Sequence, residues 1–311
     1  MARTTLAAIL VLGLAACGAD EGGPSPWLDG LTDTGWEPLP DTISEVPVDS
    51  PTEEIPMDDC AERAQWIYLV DSDRHLIQFR PDALTFTVIG LLSCSAGGFD
   101  PNPFSMSVDR NATAWVLYAP SLGGPGELFE VSTLDASCRS TTFVPNQLDF
   151  GVFGMGFVSD SDGSSAETLY VAGGQALSIG TGNSQFGWID MGALAVSRLG
   201  EVPGWPELTG TGAGELWGFF PHDTPPKVHR LDKYSGTVTH TYDLGIPTGF
   251  TEAWAFAFWG GDFYIFHKLS ADPSTNVYKL ETDDSSTTLV VPDSGYRIVG
   301  AGVSTCAPVL I

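Results

Sequence analysis

The stretch Ala255-Phe256-Ala257-Phe258-Trp259-Gly260-Gly261-Asp262-Phe263-Tyr264-Ile265-Phe266 decides the fold. It opens on two small residues two positions apart, turns on Gly-Gly-Asp, and continues as an aromatic and β-branched run. Two is the strand period, so Ala255 and Ala257 lie on one face of a strand. The run after the turn has the composition of a second strand. The same arrangement recurs along the chain. Small pairs stand at Ser105-Met106-Ser107, Gly154-Met155-Gly156, Gly210-Thr211-Gly212 and Gly300-Ala301-Gly302 as well, 45–56 residues apart. Aromatic runs stand at Trp66 to Val70, Trp115 to Tyr118, Leu169 to Val171 and Leu216 to Phe219. Each is followed by another run ending in a turn: Leu76 to Asp82, Leu128 to Asp135, Ala176 to Gly182, Val228 to Gly236 and Val277 to Asp284. A last strand follows, as at Phe86 to Ile89 or Thr237 to Leu244.

Four strands per unit at this spacing predict an all-β chain folded as a β-propeller. Inner strands of neighbouring blades converge on the axis, and the small pairs leave room for that approach. The alternative is a β-sandwich whose Gly and Ala residues mark bulges. The unit starting at Trp66 has no small pair before it, and the pair at Ile298 to Val303 has no unit after it. A ring of five blades, its C-terminal strand completing the first, accounts for both and leaves no open edge. A six-bladed ring would need a degenerate unit within Ala195 to Pro206, and that alternative stays open. Ring closure brings Cys306 near Cys60, while Cys94 follows the first blade and Cys138 lies in the outer half of the second. Of the three pairings open to Cys60, Cys94, Cys138 and Cys306, Cys60–Cys306 and Cys94–Cys138 are therefore expected.

The N-terminus is of a different kind. Arg3 precedes the apolar run Leu6 to Leu14, too short to span a membrane and laid out as a signal peptide. Its end, Leu14-Ala15-Ala16-Cys17, resembles the lipobox of bacterial lipoproteins. That resemblance implies cleavage before Cys17 and acylation of its sulfur. Gly18, in place of Asp, is the enteric signature of outer-membrane sorting. Residues 18–59 hold twelve acidic residues, seven prolines and no Lys or Arg. Such a segment cannot offset the entropy of ordering and reads as an extended tether. Trp27 and Trp36 are its only large aromatics. The expected organisation is thus a signal peptide at 1–16, acylated cysteine and tether at 17–59, and propeller at 60–311.

Phrases such as Gly154-Met155-Gly156-Phe157-Val158-Ser159-Asp160, Ala253 to Gly261 and Arg297 to Cys306 resemble β-propeller lipoproteins of gliding soil bacteria. The resemblance covers nearly all of residues 60–308. It implies a lipid-anchored envelope location and no particular activity.

Charge narrows the partners. With 39 acidic against 13 basic residues and a net charge of −26, the chain lacks the cations that neutralise nucleic-acid phosphates. A polybasic contact with anionic lipid is excluded on the same ground. The expected partners are the membrane, through the lipid, and an envelope protein or glycan, with the chain acting as a monomer. Asp71-Ser72-Asp73 and Asp160-Ser161-Asp162-Gly163 have alternate carboxylates that suit Ca²⁺, but neither continues as an EF-hand loop. Solvated turns are the plainer reading, and no cofactor is expected beyond that slight case for calcium. Asp109, Asp160 and Glu252 lie at or beside inner strands, where a glycoside hydrolase of this fold would need carboxylates. Asp109 and Asp160 follow their strands and Glu252 precedes its own, so they can open on opposite faces. Trp205, Trp254 and Trp259, with Trp217, Phe220 and Phe258, would stack on sugars or anchor a peptide if exposed at a mouth, and are core if buried. His75, His222, His229, His240 and His267 show no metal-binding spacing. The reading is a binding or scaffold module for protein or glycan, with hydrolysis as the alternative.

Overall fold

The computed structural model describes residues 60–310. The expected signal peptide and tether, with Cys17, Trp27 and Trp36, lie outside the described residues. Within them the chain forms five four-stranded antiparallel sheets and almost no helix. Blade 1 contains β1 (Ile67–Asp71), β2 (His75–Arg80) and β3 (Thr85–Leu91). Blade 2 contains β4 (Pro101–Val108), β5 (Thr113–Pro120), β6 (Glu127–Ser132) and β7 (Cys138–Ser140). Blade 3 contains β8 (Val152–Ser159), β9 (Glu167–Gly174), β10 (Asn183–Asp190) and β11 (Ala195–Pro203). Blade 4 contains β12 (Glu207–Gly210), β13 (Leu216–Phe220), β14 (Lys227–Leu231) and β15 (Val238–Asp243). Blade 5 contains β16 (Thr251–Trp259), β17 (Asp262–Leu269), β18 (Asn276–Leu280) and β19 (Thr287–Val291). The C-terminal β20 (Ile298–Gly302) pairs with β1 and completes blade 1 as its innermost strand. The five-bladed ring and its closure are as expected, and both disulfides join the expected partners, Cys60–Cys306 and Cys94–Cys138.

Two expectations change in blade 3. Ala176 to Gly182 is not the third strand of blade 3. It is a loop with a short 3-10 turn, and the strand is β10. Ala195 to Pro206 hides no sixth blade, because it supplies β11, the outer strand of blade 3.

Alternation along each second strand explains the continuous apolar runs. In β1, Ile67 and Leu69 pack toward blade 5 while Tyr68 and Val70 pack toward blade 2. Both faces of a blade are buried, so both sets are apolar. Five apolar clusters fill the five interfaces between neighbouring blades. Closest to the axis there is room for no side chain at several positions. A methyl group on Gly156 would lie 2.9 Å from the Thr209 Cα, and one on Gly302 would lie 2.8 Å from the Ser107 Cα.

An innermost strand has no partner on its axial side, and a buried N–H left there would be costly. Side chains of neighbouring inner strands accept these donors. Phe157 N–H donates to Ser107 Oγ at 3.0 Å, and Phe258 N–H to Thr209 Oγ1 at 3.2 Å. Ser and Thr thus serve in the small positions as acceptors as well as spacers. Ser107→Ala keeps the volume low but removes the acceptor for Phe157, and is expected to cost about 1–3 kcal/mol. A denaturation series would show a lower midpoint with unchanged slope, and an unchanged midpoint would refute the capping role.

Candidate functional site

All inner strands run in the same sense, so their starts gather at one end of the axis and their ends at the other. The two ends differ. At the far end the C-terminal segment Ser304-Thr305-Cys306-Ala307 crosses under the axis and is buried. Thr305 Oγ1 donates to Glu167 Oε2 at 2.7 Å, and the Arg110 N–H donates to Glu167 Oε1 at 2.9 Å. Arg110 Nη1 also donates to Thr305 Oγ1 at 3.2 Å, which ties blades 2 and 3 to the plug. Burial pushes the Glu167 carboxyl up to about 7, against its two hydrogen bonds.

This has a consequence for stability. Folded Glu167 keeps its proton up to about pH 7, while the unfolded group ionises near its ordinary value of 4.5. The folded state binds more protons across that window, so stability falls as pH rises through it. Asp109 and Glu207, also raised by burial, act in the same direction. Asp82, Asp135, Asp232 and Asp284 are held low by local hydrogen bonds, and their stabilisation is lost only at more acidic pH. Burial lowers the imidazole of His267 to about 4, and those of His222 and His229 as well, which acts in the opposite direction below about pH 6.5. The Glu167 contribution is therefore read as a difference, the wild-type midpoint falling relative to that of Glu167→Gln from about pH 5 to about pH 7. A difference between the two midpoints that stays constant across this window would contradict the assignment.

The opposite end is open, as a cavity of about 740 Å³. Its walls carry Phe104 on β4, Trp205 and Pro206 before β12, Phe250 before β16, and Trp254 on β16. Trp205 is 5% exposed and its indole N–H donates to the Thr181 carbonyl at 3.0 Å, which fixes the ring against the wall. Trp254 is half-buried and meets His222 edge to face, with 5.2 Å between ring centroids. Phe250 is 77% exposed on the rim. Polar groups are placed by local bonds. Asn102 Nδ2 donates to the Asp100 carbonyl at 2.8 Å and to Ser121 Oγ at 3.2 Å. Glu252 accepts from Lys268 Nζ at 2.6 Å and from Arg297 Nε at 3.2 Å. The Lys268 hydrogen bond holds the Glu252 carboxyl below its ordinary value, with Arg297 adding to the effect.

Glu207 is the group that sequence reasoning missed. It opens β12, lines the cavity, and is only 3% exposed. Ser105 Oγ donates to its Oε1 at 2.5 Å and Met155 N–H donates to the same atom at 3.2 Å. Burial pushes its carboxyl well above the ordinary carboxylate range, and the hydrogen bonds only partly oppose this. Reading Gly210-Thr211-Gly212 as the inner strand set blade 4 too late in the chain. The strand is Glu207–Gly210, with Thr211 and Gly212 beyond it.

The structure separates the candidate residues. Glu252, Trp205 and Trp254 share the open cavity. Asp109 and Asp160 lie at the far end of the axis, so the three carboxylates do not converge. Asp109 Oδ1 accepts the N–H groups of Asn111 and Thr113, and Oδ2 accepts from Trp115 Nε1, so it is engaged in its own turn. Asp160 Oδ1 accepts from Thr168 Oγ1 at 2.8 Å. Trp259 is 5% exposed, donates to the Gln65 carbonyl and stacks on Trp66 at 6.1 Å, which makes it core rather than mouth. Asp71 is taken up by His75, through its backbone N–H at 2.7 Å and its ring at 2.8 Å. Among the described residues no group of three or more His, Cys, Asp or Glu side chains is arranged to hold a metal ion. Among them, too, no helix is long and apolar enough to cross a membrane.

No family model matches the chain and no curated protein matches it. Solved structures do. TolB from Acinetobacter baumannii is similar at 13% identity and a TM-score of 0.45, over 73% of this chain and 52% of that one. This chain thus spans about half the length of that TolB. Regucalcin from Agrobacterium tumefaciens, a calcium-binding protein, is similar at 12% identity and a TM-score of 0.42, over 69% and 68%. The PQQ-bound aldose sugar dehydrogenase of Streptomyces coelicolor is similar at 6% identity and a TM-score of 0.45, over 76% and 81%. At these identities the likeness is one of fold.

Proposed function

We propose that this chain is a lipid-anchored propeller of the cell envelope, held through Cys17 in the outer membrane, that binds a glycan at the open end of its axis. The observation that carries the reading is the composition of the cavity. Aromatic faces from Phe104, Trp254 and Phe250 stand beside fixed hydrogen-bonding groups on Asn102, Ser121, Glu252 and Arg297. Sugars present apolar ring faces and a rim of hydroxyls, and a concave site with aromatic walls and a few oriented polar groups suits both. The far end of the axis is closed by the C-terminal segment, so a ligand enters from one side. Export and anchoring are supported by the signal-peptide layout of residues 1–16 and by the lipobox resemblance at Leu14 to Cys17. Strong negative charge keeps such a domain soluble at the cell surface.

A thermal-shift screen of residues 18–311 against a glycan panel tests the proposal. Specific binding raises the midpoint by mass action, by about 2.7 kcal/mol at a hundredfold excess over the dissociation constant. Trp254→Ala removes the half-buried stacking face and is expected to weaken binding about tenfold or more. A panel in which no glycan shifts the wild type, or in which Trp254→Ala binds as tightly, would refute the reading.

A further inference from the structure

We infer that the ligand of this mouth presents a cationic amino group to Glu207, so that the glycan class it takes is an amino sugar with a free ammonium. The inference rests on the reading of the open cavity as the ligand site and goes further, because it names the group that the site recognises. Among the described residues three carboxyl groups line the cavity, those of Asp100, Glu207 and Glu252, against the single guanidinium of Arg297. Glu252 already holds two cations, Lys268 and Arg297. Glu207 has none. Its partners are all neutral: the Ser105 hydroxyl and the Met155 N–H on Oε1, and the backbone N–H of Leu208.

The surroundings of Glu207 bear this out strand by strand. Of the strands packed against β12, β8 and β13 carry no ionisable side chain. β9 carries Glu167 and Tyr170, and β16 carries Glu252. No positive charge compensates a Glu207 carboxylate from any of them. A buried acid without a counter-ion keeps its proton, and an arriving cation supplies the missing charge. Aromatic faces around the site favour an organic cation over water. A bare Ca²⁺ would need six to eight oxygens, which this cavity does not bring together around Glu207. The net charge of −26 raises the local concentration of cations outside the mouth.

The mode of binding has a signature. An ammonium on Glu207 displaces the carboxyl proton, which leaves to solvent, so binding releases a proton and tightens as pH rises while the amine stays charged. A neutral ligand that accepted a hydrogen bond from protonated Glu207 would do the reverse. Glu207→Gln separates the two, because the amide can still accept from Ser105 and Met155 but cannot ionise.

The experiment is calorimetric titration at about pH 6, where an amine is still charged, with a glucosamine oligosaccharide and its N-acetylated counterpart in two buffers of different ionisation enthalpy. The expected result is preference for the free amine by tenfold or more, release of a proton on binding, and loss of that preference in Glu207→Gln. Equal affinity for the two sugars without proton release, or an unimpaired Glu207→Gln, would overturn the inference while leaving glycan binding intact. Failure of both sugars and of the wider glycan panel would overturn the reading on which it rests.

Discussion

Replacing Cys60 and Cys306 together by serine is expected to lower the thermal midpoint by about 10 °C or more. The two cysteines are 246 residues apart, and the bond holds β20 beside β1, where the ring closes. In the chain-entropy model a loop of that length limits the unfolded ensemble by about 5 kcal/mol. For a domain of this size each kcal/mol corresponds to about 2–4 °C. The loss also reaches the plug, because Cys306 lies in the segment that Glu167 and Arg110 hold against the closed end. Calorimetry on the double serine variant checks this. A midpoint within a few degrees of the wild type would show that strand pairing alone closes the ring.

Gly210→Ala is expected to be among the most damaging single methyls at the axis, costing about 3 kcal/mol or more, at the upper end for overpacking. The added carbon would overlap the Phe157 carbonyl oxygen and lie 2.6 Å from Val158 Cγ2. Phe157 belongs to the neighbouring inner strand, so the clash is between two backbones that converge on the axis and neither can turn aside. Gly163→Ala is the control. It sits at φ +67 with nothing within 4 Å of the added carbon, so only backbone strain opposes it. Denaturant midpoints of the two variants should differ widely. Similar losses would mean that the axis is not crowded.

Much of the fold was legible because the ring imposes a repeated physical demand. Every blade needs small residues where inner strands meet and apolar residues on both faces of the next strand, so the pattern returns at Ser105, Gly154, Ala255 and Gly300. Ring closure was legible from phase alone, since the strand at Ile298 had no other blade to join. The misreadings arose where a blade departs from the pattern. In blade 3 the chain makes a loop at Ala176 to Gly182 before its third strand, and loop length leaves no periodic trace. In blade 4 the inner strand begins with a carboxyl group, and a search for small residues passed over Glu207. The site was less legible than the fold for the same reason. Which end of the axis is open depends on the C-terminal plug, and that depends on where Thr305 lies, not on any spacing in the sequence.

Hydroxyl-radical footprinting with and without a saturating glycan tests most directly whether the open mouth is the ligand site. Protection is expected at Trp254 and Phe250, on the mouth, with no change at Tyr234, which is 70% exposed on a turn at the opposite face. Protection of Tyr234 with Trp254 and Phe250 unaffected would contradict the account and place the ligand elsewhere on the ring.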